Sequence, residues 1–223
     1  MWPADVAELA EEQRRIAAVA REDWTPKNPS VAGCFVCFER GGRGAGAAGE
    51  RGWAAAATLA SGRVRDESVL AGEAGGPYAP GLLAVREGPL LQAAVTALAA
   101  LPDVLLVNAT GLDHPRRAGL ALHLGAVLDL PTVGVTHRPL LALGDLPGPQ
   151  RGARAPLRIG SDEVGCWLRI LPGVRPLAVH AAWRTSLETA VEVILGLPAR
   201  ARTPEPLRRA RHLARTARAE ETA

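Results

Sequence analysis

The stretch VLLVNATGLDHPRRAG, Val104–Gly119, sets the architecture. Val104–Val107 is apolar at every position, which marks a strand buried on both faces, as in a parallel sheet. Asn108 ends it, and Arg116–Leu128 then carries the apolar spacing of a helix. Thr132–Val135 reads as a second buried strand. Before this stretch, Gly88–Leu101 also reads as a helix, so the middle of the chain alternates helix and strand, the pattern of parallel crossover connections.

Outward from this centre the style changes. Val31–Phe38, Trp53–Leu59 and Val64–Leu70 are strand-like runs joined by the glycine-bearing turns GGRGAGAAGERG and ASGR, which predicts an antiparallel meander. An amphipathic helix is expected over Ala4–Glu22, with acidic residues early and Arg21 late. Downstream, LGDLPGPQRGARAP reads as an exposed loop. Val164–Leu171 and Pro176–His180 form an expected strand pair, and Ser186–Leu195 a core helix capped by Ser186 or Thr185. The order predicts an α/β fold, an RNase H-like mixed sheet flanked by helices. The expected organisation is one domain over residues 1–223: an N-terminal helix and linker at 1–30, the core at 31–198, and a basic helix or tail at 199–223.

At 223 residues with 48% hydrophobic and 22% charged composition, the chain has the material for a packed core and is unlike a disordered sequence. The net charge is +3, and Lys27 is its single lysine, so arginine carries the basicity. Arginine suits bidentate phosphate contacts, and the same composition also follows from nucleotide bias in the gene. Three cysteines are too few for a disulfide scaffold. The acidic, amphipathic start is unlike a signal peptide, and no apolar run approaches the roughly 20 residues of a membrane span. These features predict a cytoplasmic protein with no membrane partner.

Four segments carry a resemblance: PYAPGLLAVREGPLL (Pro77–Leu91), DVLLVNATGLDHPRRAGLALHLG (Asp103–Gly125), PTVGVTHRPLL (Pro131–Leu141) and WRTSLETAVEVIL (Trp183–Leu195). With VAGCFVCF they resemble, in order, the motifs of the endonuclease V family. The resemblance implies magnesium-dependent hydrolysis of a phosphodiester on the 3′ side of deoxyinosine in DNA or inosine in RNA, with magnesium or manganese as cofactor. Active members hold the metal with a first-strand aspartate, the glutamate of the RE motif and an aspartate ending the fourth strand, because a hard cation wants oxygen ligands.

On this chain the first aspartate position is Phe35, the strand-four aspartate is Asn108, and Glu87 alone remains an acid. A lysine position is His137, and a histidine position is Trp183. Glu87 and Asn108 are the whole expected metal set, which predicts weak or absent binding of the ion. The resemblance further places Pro77, Tyr78 and Pro80 in a strand-separating wedge, and Gly81, Leu82 and Gly111 around an extruded base. The resemblance gives His114, with Glu87, as a retained catalytic position; His114, Arg116 and Arg117 are also candidate phosphate contacts, against the plainer roles of a helix-start residue and solvated charges.

Three functions follow as expectations. The first is a DNA- or RNA-binding protein, with inosine as a possible target, that has lost most metal-dependent cleavage. The second is a nuclease in which Glu87, Asn108, Asp113, His114 and water hold the ion. The third is a partner-binding module with no nucleic-acid role, with Phe35 and Trp183 lining an apolar cleft for a peptide or small molecule. Cys34 and Cys37 are expected on opposite strand faces and so not as a zinc pair. His123 reads as a hydrogen-bonded core histidine, and the arginine-rich tail as a solvated helix face.

Overall fold

The structure, a computed structural model, describes residues 2–221 apart from 4, 20–22, 26 and 40–45. Among the described residues the strands are β1 (Val31–Phe38), β2 (Arg51–Ala60), β3 (Arg63–Glu73), β4 (Val104–Val107), β5 (Thr132–Thr136), β6 (Arg154–Ile159), β7 (Asp162–Leu168) and β8 (Leu177–Ala181). They form one sheet in the order β3-β2-β1-β4-β5-β8-β7-β6. The meander β1 to β3 is antiparallel, β4 and β5 run parallel to β1, and β8 returns antiparallel to β5. This is the RNase H-like mixed sheet that the element order predicts.

Five helices cover it: α1 (Val6–Ala18), α2 (Leu83–Thr96), α3 (Leu120–Leu128), α4 (Leu187–Gly196) and α5 (Glu205–Glu221). Side chains alternate across the central strands and so serve two cores. Ala32, Cys34, Val36, Leu105 and Val107 pack under α1, α2 and α3 against Leu9, Ile16, Leu91 and Leu122. Val31, Val104, Leu106, Val133 and Val135 face Val191, Val193 and Ile194 of α4 and Leu207 of α5. Cys34 and Cys37 are buried on opposite faces of the sheet.

Gly33 decides how close α5 comes. A Cβ there would lie 2.5 Å from the backbone of Pro206 and Leu207, so any larger residue would push the helix off the sheet. The arginine-rich tail is therefore more than a solvated face: Leu207, Ala210 and Ala214 are buried against the sheet, Arg209 pairs with Glu67 of β3, and Arg211 and Arg215 lie over the Phe35 ring.

Several boundaries differ from the sequence reading. The first helix, N-capped by Asp5, spans Val6–Ala18, and the predicted ends at 4 and 20–22 lie outside the described residues. Helix α2 begins at Leu83 rather than Gly88: Gly88-Pro89 imitates a helix start, but Pro89 lies inside the helix. Helix α3 begins at Leu120 rather than Arg116, because Arg117 has φ 56° and turns the chain before the helix opens. Strand β6 replaces the end of the predicted loop. It is an edge strand with Leu157 as its buried residue, and Pro156 is tolerated there because an edge has unpaired positions. His123 is buried but not hydrogen-bonded among the described residues; it stacks on Trp2 with ring centroids 4.8 Å apart.

Candidate functional site

Strand β4 stops at Val107, opposite Cys34, whereas β1 continues to Phe38. The next step along the two parallel strands puts Phe35 beside Asn108, at the carboxyl edge of the sheet. The chain after Asn108 folds into tight turns that need glycine. A Cβ on Gly111 would lie 2.1 Å from the Ala181 carbonyl oxygen, and one on Gly119 2.2 Å from that of Thr110.

These turns and the loop before α2 enclose a cavity of about 200 Å3. Tyr78, Pro80 and Gly81 form one wall, Asn108, Thr110 and His114 another, and Thr136, Arg138 and Leu140 close the third side. This is smaller than the roughly 300–1,000 Å3 typical of drug-sized ligands. Asn108 and Tyr78 are exposed at it, Tyr78 with its backbone N–H donating to the Gly46 carbonyl at 3.0 Å. Gly81, at φ 77°, adopts a backbone conformation that suits glycine.

The wall at Gly81 is clamped. Its carbonyl oxygen lies 3.0 Å from His114 Nε2 and accepts from Arg116 Nη2 at 3.2 Å. The Arg116 backbone N–H donates to His114 Nδ1 at 3.2 Å, which leaves the proton on Nε2, directed at Gly81. Arg116 Nε donates to Gln13 Oε1 at 2.6 Å, bringing α1 into the same network. His114 is largely buried, and burial holds its pKa below the ordinary histidine value. His114 and Arg116 thus build the cavity wall through their own hydrogen bonds. Arg117 pairs with Asp162 at 2.8 Å, away from the cavity lining.

Asp113 is equally committed. It is fully buried, and its carboxylate accepts the backbone N–H groups of Leu140 at 2.6 Å and of Leu141 and Ala142 at 2.9 Å. That bond set holds the third side of the cavity in place.

Glu87 lies one turn into α2 from Leu83 and Ala84, which line the cavity. It is close enough to Cys34 for its charge to raise the thiol pKa further, and its own pKa is pushed up to about 7 by burial, with Arg86 opposing. Arg86 itself points away, to Glu50 and to the carbonyls of Ala47 and Gly76 at 2.8 and 3.0 Å.

Phe35 leaves β1 on the opposite face from Cys34. It packs with Trp53, Leu213 and Ala214, under the guanidinium groups of Arg211 and Arg215 at 5.6 and 5.8 Å from its ring centroid. His137 follows β5, and its Nε2 lies 3.1 Å from Thr203 Oγ1. Trp183 is elsewhere. Its backbone pairs with Thr132 at the start of β5, and its indole donates to Asp129 at the end of α3, so it sits at the other end of the sheet. Phe35 and Trp183 consequently share no cleft. Pro77 and Leu82 flank the cavity without lining it, Leu82 as the residue preceding α2.

Gln13, Thr110, Thr136, Arg138 and Leu140 belong to the cavity and were not singled out by the motifs. For Gln13 a signal existed: it is a polar residue on the buried stripe of α1 with Leu9 and Ile16.

The fold and this cavity define an RNase H-like protein with a small cleft at the carboxyl edge of its sheet. The family model described as Endonuclease V matches residues 13–212, and the chain belongs to that family. It is 38% identical over 216 residues to the endonuclease V of Roseiflexus castenholzii, covering 96% of this chain and 93% of that one. The crystal structure of endonuclease V from Streptomyces avermitilis superimposes with a TM-score of 0.88 at 37% identity, covering 100% of this chain and 96% of that one. A Ciona intestinalis endonuclease V, in complex with a 24mer DNA containing an inosine followed by a ribo-adenosine, shares the fold with a TM-score of 0.81 at 22% identity, covering 97% and 98%.

Proposed function

We propose that this chain is a nucleic-acid-binding member of the endonuclease V family that takes an extruded base, inosine foremost, into the cavity between Tyr78, Asn108 and His114, with metal-dependent cleavage lost or strongly reduced. The observation that carries the reading is a cavity built in detail beside a donor set that does not suit magnesium. Gly81 and Gly119 bring backbone to the cavity surface, while Gly111 packs behind it against Ala181, and buried polar side chains fix the walls. Tyr78 offers a ring at the mouth for stacking.

Magnesium needs several oxygen ligands, usually with one or two carboxylates among them. Phe35 supplies no donor, Asn108 supplies a neutral carbonyl at most, and among the described residues no three His, Cys, Asp or Glu side chains gather around a point. Asp113 and His114, the remaining candidates for an altered metal shell, already spend their polar atoms on backbone groups. Trp183, at the other end of the sheet, has no part in the cavity. No helix among the described residues is long and apolar enough to cross a membrane.

Fluorescence anisotropy with inosine-containing and matched plain oligonucleotides at low salt tests the binding claim. The inosine strand is expected to bind more tightly, and Tyr78→Ala to weaken it. Absence of binding to either strand would reject the proposal.

A further inference from the structure

Arg211 and Arg215 stand on consecutive turns of α5 over the same ring, Phe35. Each is within cation–π range, roughly 6 Å of the ring centroid. Neither has a carboxylate within ion-pair distance among the described residues, in contrast to Arg208 and Arg209, which pair with Glu205 and Glu67. The Arg211 Nε is buried with no hydrogen-bond partner among the described residues, and its Nη2 reaches Thr203 Oγ1 only at 3.4 Å. Burial and then the charges of Arg215 and Arg208 work against the Arg211 guanidinium. The ring holds two like charges close together, and among the described residues neither is neutralised by an ion pair, although Glu220 lines the groove they share.

Arg208, Arg211, His212 and Arg215, with Glu220 as the one acid, line an open groove of about 630 Å3 on α5. Two short bridges join this cationic group to the cavity. Phe35, beneath the arginines, follows Cys34, whose register partner Val107 directly precedes Asn108. Thr203, bonded to Arg211, is also bonded to His137, the residue before Arg138 of the cavity lining.

We propose that Arg211 and Arg215, propped on Phe35, form a metal-independent seat for one backbone phosphate of the strand whose base occupies the cavity. Guanidinium groups donate paired hydrogen bonds to phosphate oxygens, and an anion relieves the repulsion between them. An aspartate in place of Phe35 would be claimed by these arginines as an ion pair. The phenyl ring leaves them free. This seat rests on the nucleic-acid reading for its natural ligand, though not for its chemistry.

Two measurements on the full chain, in the presence of EDTA, separate the claims. In the first, inorganic phosphate is titrated while amide and guanidinium resonances are followed by NMR. Shifts are expected at Phe35, Arg211 and Arg215, and to be lost in Arg211→Gln/Arg215→Gln, whose unchanged remaining spectrum reports an intact fold. The second measures oligonucleotide affinity against salt. The double variant should weaken inosine and plain strands equally and lower the steepness of log K against log salt by about 0.7, the value for one fewer phosphate neutralised on a single strand.

Phosphate shifts with no oligonucleotide binding would leave the seat standing and reject the proposed function. No phosphate response at these residues would overturn the seat, as would native affinity and salt slope in the double variant.

Discussion

His114 Nε2 lies 3.0 Å from the carbonyl oxygen of Gly81, 33 residues earlier in the chain, and this bond ties the turn after β4 to the loop bearing Tyr78. Because Nδ1 accepts from the Arg116 backbone, the ring is held as one tautomer. His114→Ala should loosen the cavity wall, and inosine preference should fall toward the plain-strand level while plain-strand binding changes little. Competition anisotropy with the two strands reads this ratio. An unchanged preference would show that the wall does not shape recognition.

Tyr78→Ala should cost binding of both strands about 1–3 kcal/mol, the range for one base stacked on an aromatic ring. Tyr78→Phe should keep most of it, since the face and not the hydroxyl does the stacking. A hydroxyl-dependent loss would point to a hydrogen bond instead.

Asp113 supports three backbone donors from inside the protein. Asp113→Ala leaves those N–H groups without their partner and should destabilise the fold by about 3 kcal/mol, since bonds to a charged acceptor are the expensive ones to lose. Urea denaturation measures it. A cost under about 0.5 kcal/mol, ordinary for a surface position, would show that Asp113 is free for other duties.

His123 is buried against Trp2 without a polar partner among the described residues, and burial lowers its pKa to about 4. A base depressed in the fold stays neutral there while the unfolded chain takes up a proton, so stability should fall as pH drops from about 6.5 to 4. His123→Leu removes that contribution. Melting temperatures of the native chain and the variant should therefore converge or cross in the variant's favour at pH 5 relative to pH 7.5. Parallel pH profiles would contradict the assignment.

Much of this was legible in the residues. Val31–Phe38 and Val104–Val107 are strands with those bounds because unbroken apolar runs between turn signals admit little else at such lengths. Leu83–Glu87 was hidden, because Gly88-Pro89 reads as a beginning when it lies inside the helix. At the site, the motif around Tyr78, Gly81, Asn108 and His114 does converge on one cavity. Spacing could not show that His114 and Arg116 face inward to a carbonyl, that Asp113 is consumed by three amides, or that Trp183 lies at the far end of the sheet. Those facts depend on long-range packing. The pairing of Phe35 with Arg211, 176 positions apart, likewise exists only once α5 docks along β1.

The central claim is tested most directly by incubating the native chain with an inosine-containing oligonucleotide, first with magnesium and then with manganese, under conditions where binding is established. A bound strand that remains full length is the predicted result. A product cut on the 3′ side of inosine by the native chain, and absent with Glu87→Gln, would contradict it and restore this chain to the ranks of metal-dependent nucleases.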